Sequence, residues 1–282
     1  MSLVTGIITA DSLSDAWLGA AQQLAGMPGH SAVHLVTRIS QPMTEDAQVR
    51  TELDRILDAR GLQSTATVAN TLFPAALAER HPEPAELAER YRSHILPRIR
   101  RLAGSKNSRG TYFGRLVAYP DAVGTQIADQ LTNTVTKLRC EATLPGPLSS
   151  CYELAVHSPG EDGEAEVDHG RDLISGTPAL TYHGHRDSRI RMGFPCLSFL
   201  SFHLDRATLH LTAHYRNQLF LERAYGNYLG LGGLLGYVAK AAGLSPGELL
   251  VVAGHAHLEA VVPLRPLLSG HQPLPLDLEG TA

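Results

Sequence analysis

Cys196 stands in the stretch Met192–Phe199, MGFPCLSF, directly behind a proline and at the mouth of an apolar run. A cysteine attacks as thiolate, so its chemistry depends on what cation the fold brings to it. The runs Leu197–Leu204 and Thr208–Tyr215 flank Asp205-Arg206-Ala207 as two strands flank a hairpin turn. If that loop has three residues, Cys196 falls directly opposite Arg216, with Cβ atoms roughly 5 Å apart on one face. A guanidinium there favours thiolate over thiol and lowers the cysteine pKa from about 8.5 toward neutrality. A two-residue turn sets Tyr215 opposite instead and weakens the argument.

Other residues could serve such a centre. Asn227 opens a glycine-rich segment, where it is either a helix cap or a ligand-reading amide. His255-Ala-His257 places two imidazoles on one side of a strand, and His183-Gly-His185 repeats the spacing. No spacing rule links the two pairs, so no metal site is expected. Cys140 and Cys151 have no such neighbours and read as structural thiols.

The elements that must position these residues are partly legible. Asp11 or Ser12 can cap a helix through Trp17 and Leu24, and Ser31–Ile39 has the β-branched content of a strand. Thr44–Arg60 reads as a helix with Val49, Leu53, Ile56 and Leu57 on one face and Gly61 after the last turn. Pro84–Leu102 reads as a charged amphipathic helix broken at Pro97. Ser105–Gly114 reads as a polar loop, Thr125–Arg139 as a helix and Tyr152–His157 as a short strand. Residues 158–191 are polar, glycine-bearing and aperiodic, which predicts a long loop within a single domain of 1–282. Tyr225–Ala242 reads as a buried helix ended by Gly243, its five interior glycines suiting close packing against a sheet, and Glu248–Ala253 as a strand.

Composition narrows the function classes. A net charge of −4 offers no basic field for nucleic acid or an anionic membrane surface. Three cysteines are an odd, sparse set that suits a reducing cytoplasm, and no signal-peptide pattern opens the chain. Tyr225–Leu244 is the nearest approach to a membrane span, but Asn227, Lys240 and the glycines interrupt it.

Taken as one block, FPCLSFLSFHL, HYRNQ and YGNYLGLGGLLGYVAKAAGLSPGELLVVAGHAHLE resemble the thymidylate synthase family, without a gap from Pro195 to Glu259. That family has a Pro-Cys nucleophile opening a strand, an Arg-Ser step, an Asn before a helix, a Gly-Leu-x-Pro-Gly turn and a His-x-Tyr. The resemblance puts Cys196 on the nucleophile, Arg216 on the arginine that contacts cysteine and phosphate, Asn227 on the pyrimidine-reading asparagine and His257 on a sugar-contacting histidine. Upstream, Thr111–Gly114 looks like the family's Tyr-Gly loop, which makes Tyr112 a candidate, and Asp129–Leu131 like the Asp-Gln start of its next helix. The implied chemistry is addition of thiolate to a pyrimidine ring, whose neighbouring carbon then attacks a one-carbon unit carried by methylenetetrahydrofolate.

The departures are specific. The adjacent arginines that a partner subunit lends to the phosphate should fall near Ser150-Cys151-Tyr152, none of which is cationic. Asn217 replaces the serine after the motif arginine, Leu219 an aspartate and Glu259 the tyrosine of His-x-Tyr. The upstream catalytic glutamate has no equivalent, with Asn70 in the nearest segment, and the chain runs only a short Pro-Leu-rich tail, 263–282, past the motif. Arg186, Arg189 and Arg191 are candidates to replace the lost arginines, since guanidinium forks suit phosphate; Asn217 and Glu259 are candidates to bind a substrate hydroxyl or amine.

The expectation is an α+β, thymidylate-synthase-like single domain with a mixed, largely antiparallel twisted sheet flanked by helices. It would be a cytoplasmic homodimer that methylates or hydroxymethylates a pyrimidine other than dUMP through Cys196, with no nucleic acid or membrane partner. The alternative is a noncatalytic homologue that binds a nucleotide-like ligand or serves as a partner protein.

Overall fold

The computed structural model describes residues 7–102, 111–120, 127–156, 196–270 and 276–277. The expected loop 158–191, with Arg186, Arg189, Arg191, His183 and His185, and much of the tail lie outside the described residues. The strands are β1 (Ile7–Ala10), β2 (Ser31–Ile39), β3 (Tyr119–Pro120), β4 (Ile127–Ala128), β5 (Ser150–Ala155), β6 (Leu197–Asp205), β7 (Thr208–Tyr215), β8 (Gln218–Leu219), β9 (Ser245–His257) and β10 (Leu276–Asp277). The main sheet runs β10-β1-β2-β9-β7-β6-β5, with β8 also on β9. It is mixed: β1/β2, β7/β9 and β8/β9 are parallel, while β1/β10, β2/β9, β5/β6 and β6/β7 are antiparallel. The fold is α+β.

Alternation decides which face of the sheet is dry. Leu209, Leu211, Ala213 and Tyr215 of β7 and Leu249, Val251 and Ala253 of β9 point into the core, as do Leu35, Thr37 and Ile39 of β2. Three helices cover that face: α1 (Leu13–Ala25), α8 (Gln130–Glu141) and α9 (Tyr225–Ala242). The opposite face presents Val33 and Phe199, 48% and 39% exposed, among polar neighbours.

Local signals account for many of the boundaries. Ser12 caps α1 by accepting from the Asp15 amide, and Asp46 caps α2 (Ala47–Asp58), whose Val49, Leu53, Ile56 and Leu57 are buried as their spacing requires. Gly243 ends α9 at φ +73°, where a side chain would be strained. Helix α9 crosses α3 (Thr65–Leu72) at glycine distance: a Cβ on Gly226 would lie 2.6 Å from Val68 Cβ, and one on Gly230 2.9 Å from the Ala69 carbonyl oxygen. Thus Gly226 and Gly230 serve a helix–helix approach, while Gly232, Gly233 and Gly236 face Pro42, Phe73 and Met43 rather than the expected sheet.

Three other expectations are corrected, and the tail gains an element. The helix from Pro84 is not broken at Pro97: α5 (Pro84–Arg90) passes through a π turn, Tyr91–Ile95, into α6 (Leu96–Leu102). Pro97 sits in the first turn after the irregularity, so the widened turn absorbs its missing N–H. Thr111–Gly114 is not a loop but the start of α7 (Tyr112–Val117), because Thr111 Oγ1 accepts from the Gly114 amide at 3.1 Å. The helix expected from Thr125 begins at Gln130, where Asp129 caps it. The tail includes a short helix, α10 (Arg265–Ser269), and Gln22 donates to the Leu268 carbonyl, fixing it on α1. Between α3 and α5 lies the one-turn α4 (Ala75–Arg80). Among the described residues, no helix is long and apolar enough to cross a membrane.

Candidate active site

The hairpin of β6 and β7 does bring Cys196 to Arg216, by a different route from the one expected. Asp205 pairs with Thr208, so the turn has two residues, Arg206 and Ala207, with Arg206 at φ +54°. Carried unbroken along the ladder, that register would set Cys196 against Asn217 and not Tyr215, because the two turn residues are 206 and 207 rather than 205 and 206. An irregularity between Leu197 and Phe199 shifts the pairing, so that Leu197 faces Tyr215 and the Arg216 amide donates to the Cys196 carbonyl at 3.0 Å. The Arg216 carbonyl in turn accepts from the His255 amide at 3.1 Å, tying Cys196, Arg216 and the end of β9 into one backbone ladder.

Tyr112 anchors the other side. Its hydroxyl oxygen accepts from the amides of both Cys196 and Leu197 at 3.3 Å, and the ring is buried. Burial pushes the phenol well above its ordinary value, so it stays neutral. Its evident work is to hold the backbone that carries the cysteine.

At the sulfur several effects compete. Desolvation dominates and raises the Cys196 thiol pKa, against the opposing pull of the Arg216 and Arg223 guanidiniums and a hydrogen bond from Asn217. The Asn217 amide is itself oriented, since its Oδ1 lies 2.7 Å from His255 Nδ1. That oxygen can only accept, so Nδ1 carries the proton and Asn217 Nδ2 is turned toward sulfur. Cys196 is half-buried, neither sealed in the core nor open at the surface.

The segment between β8 and α9 completes the centre. Phe220–Ala224 forms a π turn leading directly into α9. Glu259 spans its first amides, accepting from Leu221 and Glu222 at 3.0 Å each. Burial raises the Glu259 carboxyl pKa against the lowering effect of those donors. Arg223 is buried within the turn and donates through Nη1 to Gln63 Oε1 at 2.6 Å. Among the described residues, Asn227 Oδ1, both amide atoms of Gln218 and the Tyr215 hydroxyl are buried without a partner. Such groups cost about 1–3 kcal/mol each when nothing meets them, and a ligand's donors and acceptors would relieve that cost.

Several sequence-predicted residues therefore take different roles. Cys196, Arg216, Asn217 and Tyr112 come together, and Asn227 lies buried in the first turn of α9. Asn217 meets the sulfur, and each Glu259 oxygen accepts from one backbone amide. His257 is half-buried at the end of β9, opposite Leu219. Asn70 is on the exposed side of α3. Arg189 and Arg191 lie outside the described residues. The sequence reading missed Arg223, Gln63, Gln218 and His255 in this role; only the His-Ala-His spacing hinted at His255. Among the described residues, no three metal-ligating side chains gather.

The fold and site thus describe an α+β protein with a half-buried cysteine paired to Arg216 along the backbone and met by the oriented Asn217 amide. No protein-family model matches the chain. A Methanococcoides burtonii protein described as "Putative thymidylate synthase" is 36% identical to it over 64 residues, 23% of this chain and 30% of that protein. The matched segment covers less than a third of that relative's length.

Proposed function

We propose that this chain activates a pyrimidine-type heterocycle by covalent addition of Cys196, for transfer of a one-carbon unit in the manner of thymidylate synthases. The observation that carries the reading is the Cys196–Arg216 pairing, with the Asn217 amide turned to the sulfur. The M. burtonii relative supports the same class.

The steps follow from the groups present. As the ligand enters, Cys196 gives its proton to water, and the thiolate forms a bond to an electron-poor ring carbon while the double-bond pair moves to the neighbouring carbon and its conjugated carbonyl oxygen. Arg216 and Arg223 favour the charged sulfur before attack. Asn227 Oδ1 can accept a ring N–H, and the Gln218 amide can both donate to a ring oxygen and accept from a ring N–H or hydroxyl. The neighbouring carbon takes the one-carbon unit and gives up its hydrogen as a proton; expulsion of the thiolate restores the double bond.

Methylenetetrahydrofolate would supply the one-carbon unit in such a reaction, but the described residues do not fit it in the family's way. Half-buried, apolar Leu219 stands where the resemblance puts an aspartate. No step is routed through it. Likewise Ser150–Ala155, where partner-lent arginines should fall, is a strand with Tyr152 buried and Glu153 exposed. That supports a substrate other than dUMP.

A second copy could pack on the sheet face that presents Val33 and Phe199 among the described residues. A homodimer belongs to this proposal, and sedimentation equilibrium would read it as twice the 30.4 kDa chain mass.

Intact-mass measurement tests the reaction. The protein is incubated with a panel of 5-fluoropyrimidine nucleotides and nucleosides, with and without methylenetetrahydrofolate. An adduct that Cys196→Ser abolishes is expected, and dependence on the folate would show whether it is the donor. Absence of any adduct across the panel would refute the reading in favour of a noncatalytic ligand-binding homologue.

A further inference from the structure

Helix α9 and the π turn before it form one helical run, Phe220–Ala242, and the first amides of such a run have no partner within it. A side chain just ahead of a helix usually meets them, but here Leu219 stands in that place, and its side chain cannot accept a hydrogen bond. Glu259, which follows Leu221 by 38 residues, supplies the missing acceptors: one oxygen accepts from the Leu221 amide and the other from the Glu222 amide, both at 3.0 Å. Those are the second and third residues of the run, the amides that an ordinary cap serves. A carboxylate there also lies at the positive end of the helix dipole. Two oxygens on two adjacent amides make a clasp rather than a single swinging contact.

What the clasp holds is the residue a turn further on. Asn227 follows Glu222 by five positions with no break in the helical run, and it is 4% exposed with its Oδ1 unpartnered. The turn is pinned from other sides as well, since Trp17 Nε1 donates to the Phe220 carbonyl at 2.9 Å and Gln63 accepts from Arg223. Gly226, directly before Asn227, lies against α3 with no room for a side chain. A local serine at position 219 would cap the run without placing a carboxylate there. Glu259 does more, because it also ties the start of the run to the end of β9, beside which Gln218 pairs with Ala256. A buried amide reads a ligand only when its place is fixed to within about 0.5 Å.

We propose that Glu259 is the positioning residue for Asn227: its carboxylate caps the Phe220–Ala242 run from the end of β9 and so sets where the Asn227 amide meets a ring N–H of the ligand. The ligand side of this role rests on the pyrimidine reading above, whereas the clasp is measurable without any ligand. Cys196 does not depend on it, since Tyr112 and the Arg216 amide hold its backbone from other elements.

Amide hydrogen exchange of the full chain, followed by nuclear magnetic resonance, tests the clasp. In Glu259→Ala the Leu221 and Glu222 amides should exchange about tenfold faster than in the parent, as loss of a hydrogen bond to a charged group requires. Glu259→Gln keeps one acceptor at nearly the same volume and should release only one of the two. Parental exchange at both amides in Glu259→Ala overturns the proposal; if that variant does not fold, parental exchange at both in Glu259→Gln overturns it. The ligand arm is a double-mutant cycle on the fluoropyrimidine concentration that gives half-maximal adduct. Glu259→Ala and Asn227→Ala should each raise it about tenfold, but Glu259→Ala should add little in the Asn227→Ala background, because both remove the same contact. Additive losses overturn the proposal, since Glu259 would then act on the ligand by itself. The pH midpoint of iodoacetamide alkylation at Cys196, read in a Cys140→Ser, Cys151→Ser background, should stay parental in Glu259→Ala, because Gln63 still holds Arg223 and the cysteine backbone is anchored elsewhere. A shifted midpoint overturns the assignment to Asn227. Faster exchange in a chain that forms no adduct removes the proposed reaction and leaves the clasp standing; an adduct with parental exchange does the reverse.

Discussion

Two alanine substitutions in one helix should act in opposite directions. Gly226 and Gly236 both lie in α9, and each replacement gains up to about 1 kcal/mol of intrinsic helix propensity. At Gly236 the new Cβ would meet Met43 Cγ at 3.5 Å and Sδ at 3.8 Å, ordinary contact with a flexible side chain that is 46% exposed. The gain survives there, and stabilisation of about 0.5–1 kcal/mol is expected. At Gly226 the new Cβ would lie 2.6 and 2.8 Å from Val68 carbons and 2.7 Å from the Thr65 carbonyl oxygen. Backbone cannot swing aside as a side chain does, so α9 must move off α3. Overpacking of this kind costs about 1–3 kcal/mol, which outweighs the propensity gain and leaves net destabilisation of up to about 2 kcal/mol. For a chain of this size each kcal/mol shifts the melting temperature by roughly 2 °C. Thermal melts followed by circular dichroism should therefore place Gly236→Ala above the parent and Gly226→Ala below it. Equal melting temperatures for the two variants would refute the argument that α9 and α3 meet at glycine distance. Because Asn227 adjoins Gly226, the same displacement should also weaken any adduct formed at Cys196.

Tyr112→Phe removes the oxygen that accepts from Cys196 and Leu197 while keeping the ring, so urea denaturation should show a loss of about 1–3 kcal/mol, and an unchanged midpoint would mean those amides find another acceptor. His255→Ala frees the Asn217 amide at an exposed position, so stability should change by less than about 0.5 kcal/mol while the Cys196 alkylation midpoint rises. The parent midpoint should itself lie above that of an ordinary cysteine, because desolvation holds the neutral thiol; reactivity is then low below that pH and grows as pH rises through it.

Where short-range chemistry decides, the sequence was sufficient. Strand β2 has the bounds its β-branched run suggested, α2 buries the four residues its period selected, and α9 stops at Gly243, the residue that tolerates the left-handed turn. In the same way Cys196 and Arg216 were recognisable as a pair, whereas Asn227 is no cap: it is the third residue of α9, whose cap position is Ala224 because the preceding π turn runs straight into the helix. The arrangement around them was not legible, because it depends on contacts between segments far apart in the chain. The turn length alone would have misaligned Cys196, and the irregularity beside Ser198 restores its register with Arg216. Nothing near Glu259 in the chain shows that two amides 37 and 38 residues away donate to its oxygens. Arg223 was passed over for the complementary reason: a surface arginine and a buried one look identical until Gln63, 160 residues upstream, is folded against it. Sequence by itself determined α1, α2, α9, β2, the β6–β7 hairpin and the nucleophile candidate, whose signals are periodicity, caps and spacing. Tertiary structure alone decided which cations and amides surround the sulfur, because desolvation and charge depend on what is packed nearby and not on what is adjacent in the chain.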